Sequence, residues 1–472
     1  MEELKTFVLK KIKPDKEKQE KIKDFVRSLL STAKIASNAQ PVMTGSIGRE
    51  TWLKDNHDID LFLMFSITVS REKLEKRGLE AAKKIVKLLN GTYIKKYAEH
   101  PYLQAKINDF DVDIVPCYKI KKGEKIKSAV DRSPLHVEYV LEKLEPSLRD
   151  DVRLLKQFCR GIGIYGSDAK HSGVSGYLCE LLIINYGRFE EVLKAISNSN
   201  PGLIIDIENF WFKDLTKIDE TKKQLRKKFK NQPLIFIDPV DKNRNVASAL
   251  SCENFIRFVN KAGEFLKNPG QQFFFPVKKG LAGKQVKILQ SRKTKFLSIA
   301  FSKPDIIDDN LYPQLRKTIE RLTNLMIENE FKVIRKYEFV LEDIKKIVLI
   351  FEMEEWCPPF IEKRTGPPIF AIKNSRDFLK KYENPLFGHY IEDSCWVIEK
   401  EREFKTASIL LTTFLNKEPD ELKKKGIPKD IAEPISKANL LQHEEFWGFI
   451  KNNKELSIFL REKYFEDNFN SK

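Results

Sequence analysis

The sequence predicts an α+β chain in three parts: a mixed head over 1–140, a helical neck over 141–268, and a mixed body and tail over 269–472. Three observations carry this. Apolar, strand-like runs with acidic residues alternating onto one face occur at Ile59–Phe65 and Phe110–Val115. The stretch 136–265 is dominated by helical periodicity. The last third then returns to a strand–helix–strand–strand–(helix)–strand order, which suggests a ferredoxin- or RNA-recognition-like unit with an insertion. A chain of 472 residues has room for two to four domains at roughly 100–200 residues each.

In order, the elements read as follows. Pro14 sits at a helix start, and Ile22, Phe25, Val26, Leu29, Leu30 and Ala33 recur at helical spacing. Pro41–Ser46 and a short polar segment lead to Ile59–Phe65, which reads as a buried strand. An amphipathic helix follows at about 72–89, then strands near 102–107 and 110–115, the last closed by Pro116. In the neck, Val152, Leu154, Leu155, Phe158 and Cys159 mark one helix and Tyr177–Ile184 another. A loop at Asp238–Lys242 precedes a helix at 246–265, and Asn268-Pro-Gly precedes the aromatic segment Phe273–Phe275. Beyond it, Lys295–Ser302 is a strand, and Leu311 to Met326 form a helical stripe. Phe331–Leu341 and Ile347–Met353 are paired strands, 377–382 is a short helix, and Cys395–Glu401 is the unit's last strand.

Composition narrows the function. Lys and Arg number 85 against 68 Asp and Glu, a formal charge of +17 that favours a polyanionic partner. No apolar run reaches the ~18 residues of a membrane span. The N-terminus lacks the apolar core of a secretory signal and reads as no typical transit peptide. Six scattered Cys without C-x-x-C argue against a disulfide scaffold or a compact zinc finger and for a reducing, cytoplasmic setting. Six His without H-E-x-x-H exclude that metalloprotease motif. His57, Cys117, Cys179 and Cys252 read as structural.

The chemistry concentrates in Thr44–Phe65. Asp58 and Asp60 lie at i and i+2 in an apolar run, so a strand places both carboxylates on one face, about 6–7 Å apart along the chain. Two acids there are costly without a cation between them, and a hard divalent ion such as Mg²⁺ is the natural partner. Downstream, Asp109, Asp111 and Asp113 alternate onto one face, with Asp113 the one best placed beside the first pair. Three carboxylates on neighbouring strands can hold two metal ions about 3.5–4 Å apart, one activating a hydroxyl and one neutralising a leaving oxyanion. Before them lies Gly45-Ser46: the glycine permits close backbone approach to an anion, and a serine opening a helix offers its hydroxyl and free N–H groups to phosphate, with Arg49 one helical turn on. Gly-Ser followed by Asp-x-Asp and a later strand carboxylate is the signature of the DNA polymerase beta-like nucleotidyltransferase fold.

Over most of its length the sequence resembles the archaeal-type (class I) CCA-adding enzymes, the tRNA nucleotidyltransferases. Gly45-Ser46 with Thr51-Trp-Leu, Asp58-Ile-Asp60 and Ala98-Glu-His-Pro-Tyr102 are blocks shared with other nucleotidyltransferases. More specific are Val112 to Tyr118, Asp131 to His136, Gly163-Ile-Tyr-Gly166, Ser175 to Leu182, Asp238-Pro-Val-Asp241, Arg244 to Ala247, Gly366-Pro-Pro368 and Trp396. The resemblance implies that Asp58, Asp60 and Asp113 bind metal and that Gly45, Ser46 and Arg49 meet the triphosphate. It puts His136, Lys156, Tyr165, Ser175 and Arg244 at the incoming nucleotide, with Arg244 facing the base, and His100 near the primer end. It implies CTP and ATP as substrates, Mg²⁺ as cofactor, and a tRNA gripped by its acceptor and T stems. A homodimer is a further expectation that the sequence itself does not decide.

Taken singly, these residues have plainer readings: Lys156 a solvated charge, Tyr165 loop packing, Ser175 a helix N-cap, His136 a surface side chain. Glu180, inside an apolar helix, reads as a buried partner for an Arg. Two other functions share the motifs: a poly(A) or oligoadenylate polymerase, which would use ATP alone, and a catalytically silent RNA-binding protein. Incorporation of CTP separates them.

Overall fold

A computed structural model describes residues 1–55, 58–97 and 101–466. They form two compact units, Met1–Val277 and Lys278–Lys472.

The first unit opens with helices α1 (Glu2–Ile12) and α2 (Lys16–Ala36). Asp15, rather than Pro14, sets the start of α2, accepting a hydrogen bond from the Lys18 amide. Strand β1 (Gln40–Met43), the single helical turn α3 (Gly45–Gly48), β2 (Asp58–Phe65), α4 (Arg71–Leu88), β3 (Thr92–Tyr97), β4 (Pro101–Ile107) and β5 (Phe110–Tyr118) follow. The sheet order is β1-β2-β5-β4-β3. Its central pair, β2 and β5, is parallel; the other pairs are antiparallel. Helices α2 and α4 cover one face, packing Phe25, Leu29, Leu74, Ile85 and Val86 against Ile59, Leu61, Leu63, Leu103 and Ile114. Side chains alternate along a strand. With Ile59, Leu61 and Leu63 turned to the helices, Asp58 and Asp60 must face the other side, beside Phe62 and Met64.

Strand β5 runs through Pro116 to Tyr118, past the end that proline predicts. Pairing with β4 ends at Ile114, so no ladder bond on that edge needs an N–H from residue 116. Gly78 of α4 lies directly over the proline; a Cβ there would come within 2.4 Å of Pro116 Cβ.

The helical part holds α5 (Arg132–Lys143), α6 (Arg149–Gly161), α7 (Gly176–Tyr186), α8 (Phe189–Ser197), α9 (Ile218–Lys228) and α10 (Cys252–Lys267). It also carries a small sheet absent from the helical reading: β6 (Leu203–Ile205), β7 (Leu234–Asp238) and β8 (Asp241–Asn245). The loop expected at Asp238 is thus a hairpin turn. Helix α10 begins at Cys252, not 246, because Ser251 caps it by accepting from the Asn254 amide. As its first residue, Cys252 is exposed; Cys117 and Cys179 are buried as expected. Phe158 is fully buried among Phe189, Phe258, Phe265 and Phe274. The aromatic segment 273–275 therefore belongs to this core, and the first unit ends at Val277 rather than at 268.

The second unit contains α11 (Gly283–Gln290), β9 (Lys295–Ser302), α12 (Asp308–Glu328), β10 (Lys332–Leu341) and β11 (Lys346–Glu355). Then come β12 (Ile361–Pro368), α13 (Ile372–Lys381), β13 (Phe387–Glu392) and β14 (Cys395–Glu401). Three helices over 407–436, β15 (Asn439–Gln442) and two helices over 443–461 complete it. The main sheet is antiparallel in the order β10-β11-β9-β15, the strand order of a ferredoxin-like βαββαβ unit. Its last strand is β15, not Cys395–Glu401. The latter is the centre of a separate inserted sheet, β12-β14-β13. Among the described residues, no helix is long and apolar enough to cross a membrane.

Candidate active site

The parallel register of β2 and β5 sets Asp58 beside Asp111 and Asp60 beside Asp113. Burial pushes the Asp60 carboxyl up to about 6, and the charge of Asp113 adds to the rise. Burial also raises Asp113, against a hydrogen bond from Gln104, its cross-strand neighbour on β4. One Asp113 oxygen, Oδ1, is buried and has no hydrogen-bond partner. Asp109 lies outside the strand, paired to Lys21 at 2.8 Å.

Gly45 closes this site from below. Its φ is +64°, and a Cβ would fall 1.8 Å from Asp60 Oδ2, so only glycine fits. The Thr44 amide donates to the Asp60 carbonyl at 2.8 Å, tying the turn to the strand. Ser46 lies within that turn and accepts the Thr51 amide at its carbonyl.

Arg49 lies where α3 ends, 9% exposed, and its Nε is 2.5 Å from Glu180 Oε2. Glu180 Oε1 is 3.0 Å from Lys156 Nζ, and Thr51 Oγ1 also donates to it. Lys156 Nζ reaches Thr51 Oγ1 at 2.8 Å. Burial opposes ionisation of Glu180, but Arg49 and Lys156 hold its carboxyl below the usual range. Glu180 is thus an Arg partner, as its sequence context indicated, and a Lys partner too. Lys156 is neither a solvated charge nor open to a ligand: at 1% exposure its ammonium is committed to this network.

A second cluster adjoins the first. Arg49 sits over the Tyr177 ring, 5.7 Å from its centroid, and Tyr177 stacks on His136 at 4.0 Å. His136 Nε2 donates to Asp238 Oδ2 at 3.0 Å, and Arg244 reaches the same oxygen at 2.7 Å. Burial keeps His136 below its ordinary pKa despite the carboxylate. Asp238, though burial opposes it, is held low by His136 and Arg244. A neutral imidazole donating to a carboxylate results. His136 is therefore a buried, oriented residue rather than a surface one.

Ser175 caps α7, its hydroxyl accepting from the Leu178 amide at 3.0 Å. Tyr165 lies under the Arg160 guanidinium, and a Cβ on Gly176 would meet the Tyr165 hydroxyl at 3.0 Å and Lys156 Nζ at 3.6 Å. Tyr165 and Lys156 thus converge on the start of α7. The expectation for His100, and the structural reading of His57, lie outside the described residues.

Four contributors had no assigned part from the motifs: Thr51, Tyr177, Glu180 and Asp238. All four stood in quoted blocks, but only Glu180 was singled out, as a carboxylate inside an apolar helix. Asp238 stood in a quoted motif, but only the fold shows that His136 and Arg244 both turn to it.

Among the described residues, no three His, Cys, Asp or Glu side chains are already arranged to hold a metal ion. The donor set nevertheless fits a hard cation. The Asp113 oxygen lacks a partner, Asp60 is buried beside it with its carboxyl pushed up, and Mg²⁺ ordinarily completes its shell with water and substrate phosphate.

Paired carboxylate strands beside a glycine turn define a nucleotidyltransferase, and residues 19–136 match the model of the family described as "Nucleotidyltransferase domain". Residues 150–275 match "tRNA nucleotidyltransferase, second domain", and 292–443 match "CCA-adding enzyme, C-terminal domain". The CCA-adding enzyme of Methanosarcina acetivorans is 40% identical over 424 residues, covering 88% of this chain and 89% of its own. That of Methanocaldococcus jannaschii is 39% identical over 436 residues, with 91% and 93% covered. That of Methanosarcina mazei is 37% identical over 472 residues, with 98% of each covered. The chain belongs to the CCA-adding enzyme family of tRNA nucleotidyltransferases.

Proposed function

We propose that this enzyme adds C, C and A to the 3′ end of tRNA from CTP and ATP, without a nucleic-acid template, releasing pyrophosphate. The observation that carries the reading is the register of Asp60 against Asp113 over the Gly45 turn, in a chain whose residues 150–275 and 292–443 match domains of tRNA nucleotidyltransferases and CCA-adding enzymes.

In each step the terminal ribose hydroxyl attacks the α-phosphorus. A new P–O bond forms as the bond to pyrophosphate breaks. Asp58, Asp60 and Asp113 would hold the divalent cation, Mg²⁺ in this reading, which when bound lowers the pKa of the attacking hydroxyl and offsets the charge of the leaving group. Gly45 keeps the backbone low enough for Asp60 to stand over it, and Ser46 and Arg49 face the triphosphate. Glu180 and Lys156 position Arg49 from below. Asp238 orients His136 and Arg244 toward the nucleotide, with Arg244 the base-facing group. Ser175 and Tyr165 line the same side. Base choice is shared between this pocket and the tRNA end, and the acceptor and T stems are gripped mainly through phosphates and shape, so binding weakens steeply with salt. A cytoplasmic location and a homodimer belong to the same reading.

The test is labelled CTP offered with Mg²⁺ to a tRNA transcript that ends before CCA. Two C residues added, and none by Asp60→Asn, is the expected result. Long A tracts from ATP alone would make the enzyme a poly(A) polymerase. Binding without incorporation would make it an RNA-binding protein.

A further inference from the structure

The first unit carries a groove of about 960 Å³ that the nucleotide chemistry does not use. The segment after β5 (122–129) lines one side. The tip of the β7–β8 hairpin (239–243), with Phe210 and Lys213, lines the other. Its cations are Lys122, Lys125, Lys127, Arg132, Lys213 and Lys242; its carboxylates are Glu124 and Asp241. Asp241 pairs with Arg132 at 3.1 Å, Lys122 lies 3.9 Å from Glu208, and Glu124 accepts from the Lys121 amide at 2.9 Å, which leaves Lys125, Lys127, Lys213 and Lys242 against one carboxylate. What remains is a strongly positive channel.

The walls are preordered. Lys127 lies over the Tyr118 ring at 4.6 Å and donates to the Ile67 carbonyl at 2.7 Å. Lys122 lies 5.7 Å from the Tyr139 centroid. Across the groove, Trp211 Nε1 donates to the Lys242 carbonyl at 2.8 Å and pins the hairpin tip. Lys228 bridges the Trp211 ring, at 4.7 Å, to Asn243. Among the described residues, no ion pair holds Lys125, Lys213 or Lys242, and all three are exposed.

We propose that this groove binds the sugar–phosphate backbone of the tRNA substrate, outside the reaction centre; this rests on tRNA being the substrate. A free nucleotide fits it poorly. Nucleotide sites enclose their ligand and converge a few polar groups on it. Here the ammonium groups are exposed and spread over three chain segments, as a long polyanion requires. Through the Asp238–Asp241 turn, the hairpin joins the groove to Arg244 and His136.

The test compares the wild type with Lys125→Ala/Lys213→Ala/Lys242→Ala by filter binding of a tRNA transcript across a salt series. Lys83→Ala/Lys84→Ala/Lys87→Ala, three exposed lysines of α4, is the control. Each lost phosphate contact removes about 0.7–0.9 from the salt slope, so the groove variant should lose about 2–3. Its Kd should rise roughly tenfold or more near 0.1 M salt, with the KM for CTP and ATP unchanged and Lys→Arg at the same positions restoring binding. An unchanged Kd and slope would overturn the proposal. So would an equal loss in the α4 control, or a rise in nucleotide KM with tRNA binding intact. A wild type that binds tRNA but adds no CCA would defeat the functional reading alone; one that binds no tRNA would defeat both.

Discussion

Glu180→Gln is the sharpest probe of the buried network. Glu180 is fully buried, 2.5 Å from Arg49 Nε and 3.0 Å from Lys156 Nζ. The amide keeps the volume and removes the carboxylate that lies between two buried cations. Breaking a buried ion pair in this way costs about 3–5 kcal/mol. At ~2.1 cal/mol/K per residue, a unit of Met1–Val277 unfolds with an entropy of about 0.6 kcal/mol/K. The melting temperature of that unit should then fall by about 5–9 °C. Calorimetry reads this directly as a shift in the transition of the unit that buries Glu180. Lys156→Met combined with Glu180→Gln should be less damaging than Glu180→Gln alone, because it removes one of the two stranded charges. A shift under ~1 °C for the single variant, or strict additivity in the double, would refute the argument that these three groups form one unit.

Other outcomes follow from the same geometry. Gly45→Ala drives a Cβ into Asp60 at an unfavourable φ, so kcat should fall by about 100-fold or more, measured at saturating CTP. Asp60 has a folded pKa near 6 against 3.8 for the free group, so its contribution is fully present below pH ~4 and is lost as pH rises through 6. Ionised Asp60 therefore costs about 3 kcal/mol at pH 7 in metal-free protein. Asp60→Asn should melt higher than wild type at pH 7 without Mg²⁺ and lose that advantage near pH 4, and Mg²⁺ should stabilise wild type more at pH 7 than at pH 5. His136 behaves oppositely: its folded pKa is depressed, so its contribution is present above pH ~6.5 and is lost on acidification. His136→Gln should flatten that acid limb in a pH series of melting temperatures. Asp238→Asn loosens both His136 and Arg244, and the KM for CTP and ATP should rise about tenfold with kcat less affected.

Much of this molecule was legible in the sequence, for physical reasons that differ by element. The strands read at 59–65 and 110–115, observed at 58–65 and 110–118, announced themselves because a half-buried strand must alternate, and the acids had to share the face opposite Ile59, Leu61 and Leu63. The small neck sheet did not, because Leu203–Ile205 is too short to show a period and Asp241–Asn245 is polar throughout. Strand β15 was hidden likewise: four residues, Asn439–Gln442, complete a sheet whose other strands lie about a hundred residues upstream. Cys395–Glu401 read correctly as a strand but could not declare its sheet, since pairing is long-range. In the site, Asp58, Asp60, Asp113 and Gly45 were legible from spacing. The burial of Lys156 was not, because a lysine between Leu155 and Gln157 looks the same in a sequence whether it meets water or a buried Glu180.

The central claim is stepwise CCA synthesis at the Asp58, Asp60 and Asp113 carboxylates. Its most direct test is single-nucleotide resolution of labelled CTP and ATP incorporation into three tRNA transcripts, ending before CCA, after C, and after CC, with Asp113→Asn as the blank. The account predicts three, two and one nucleotides added in the order C, C, A, then a stop, and nothing from the blank. Untemplated A tracts, failure to use CTP, or full activity in Asp113→Asn would contradict it.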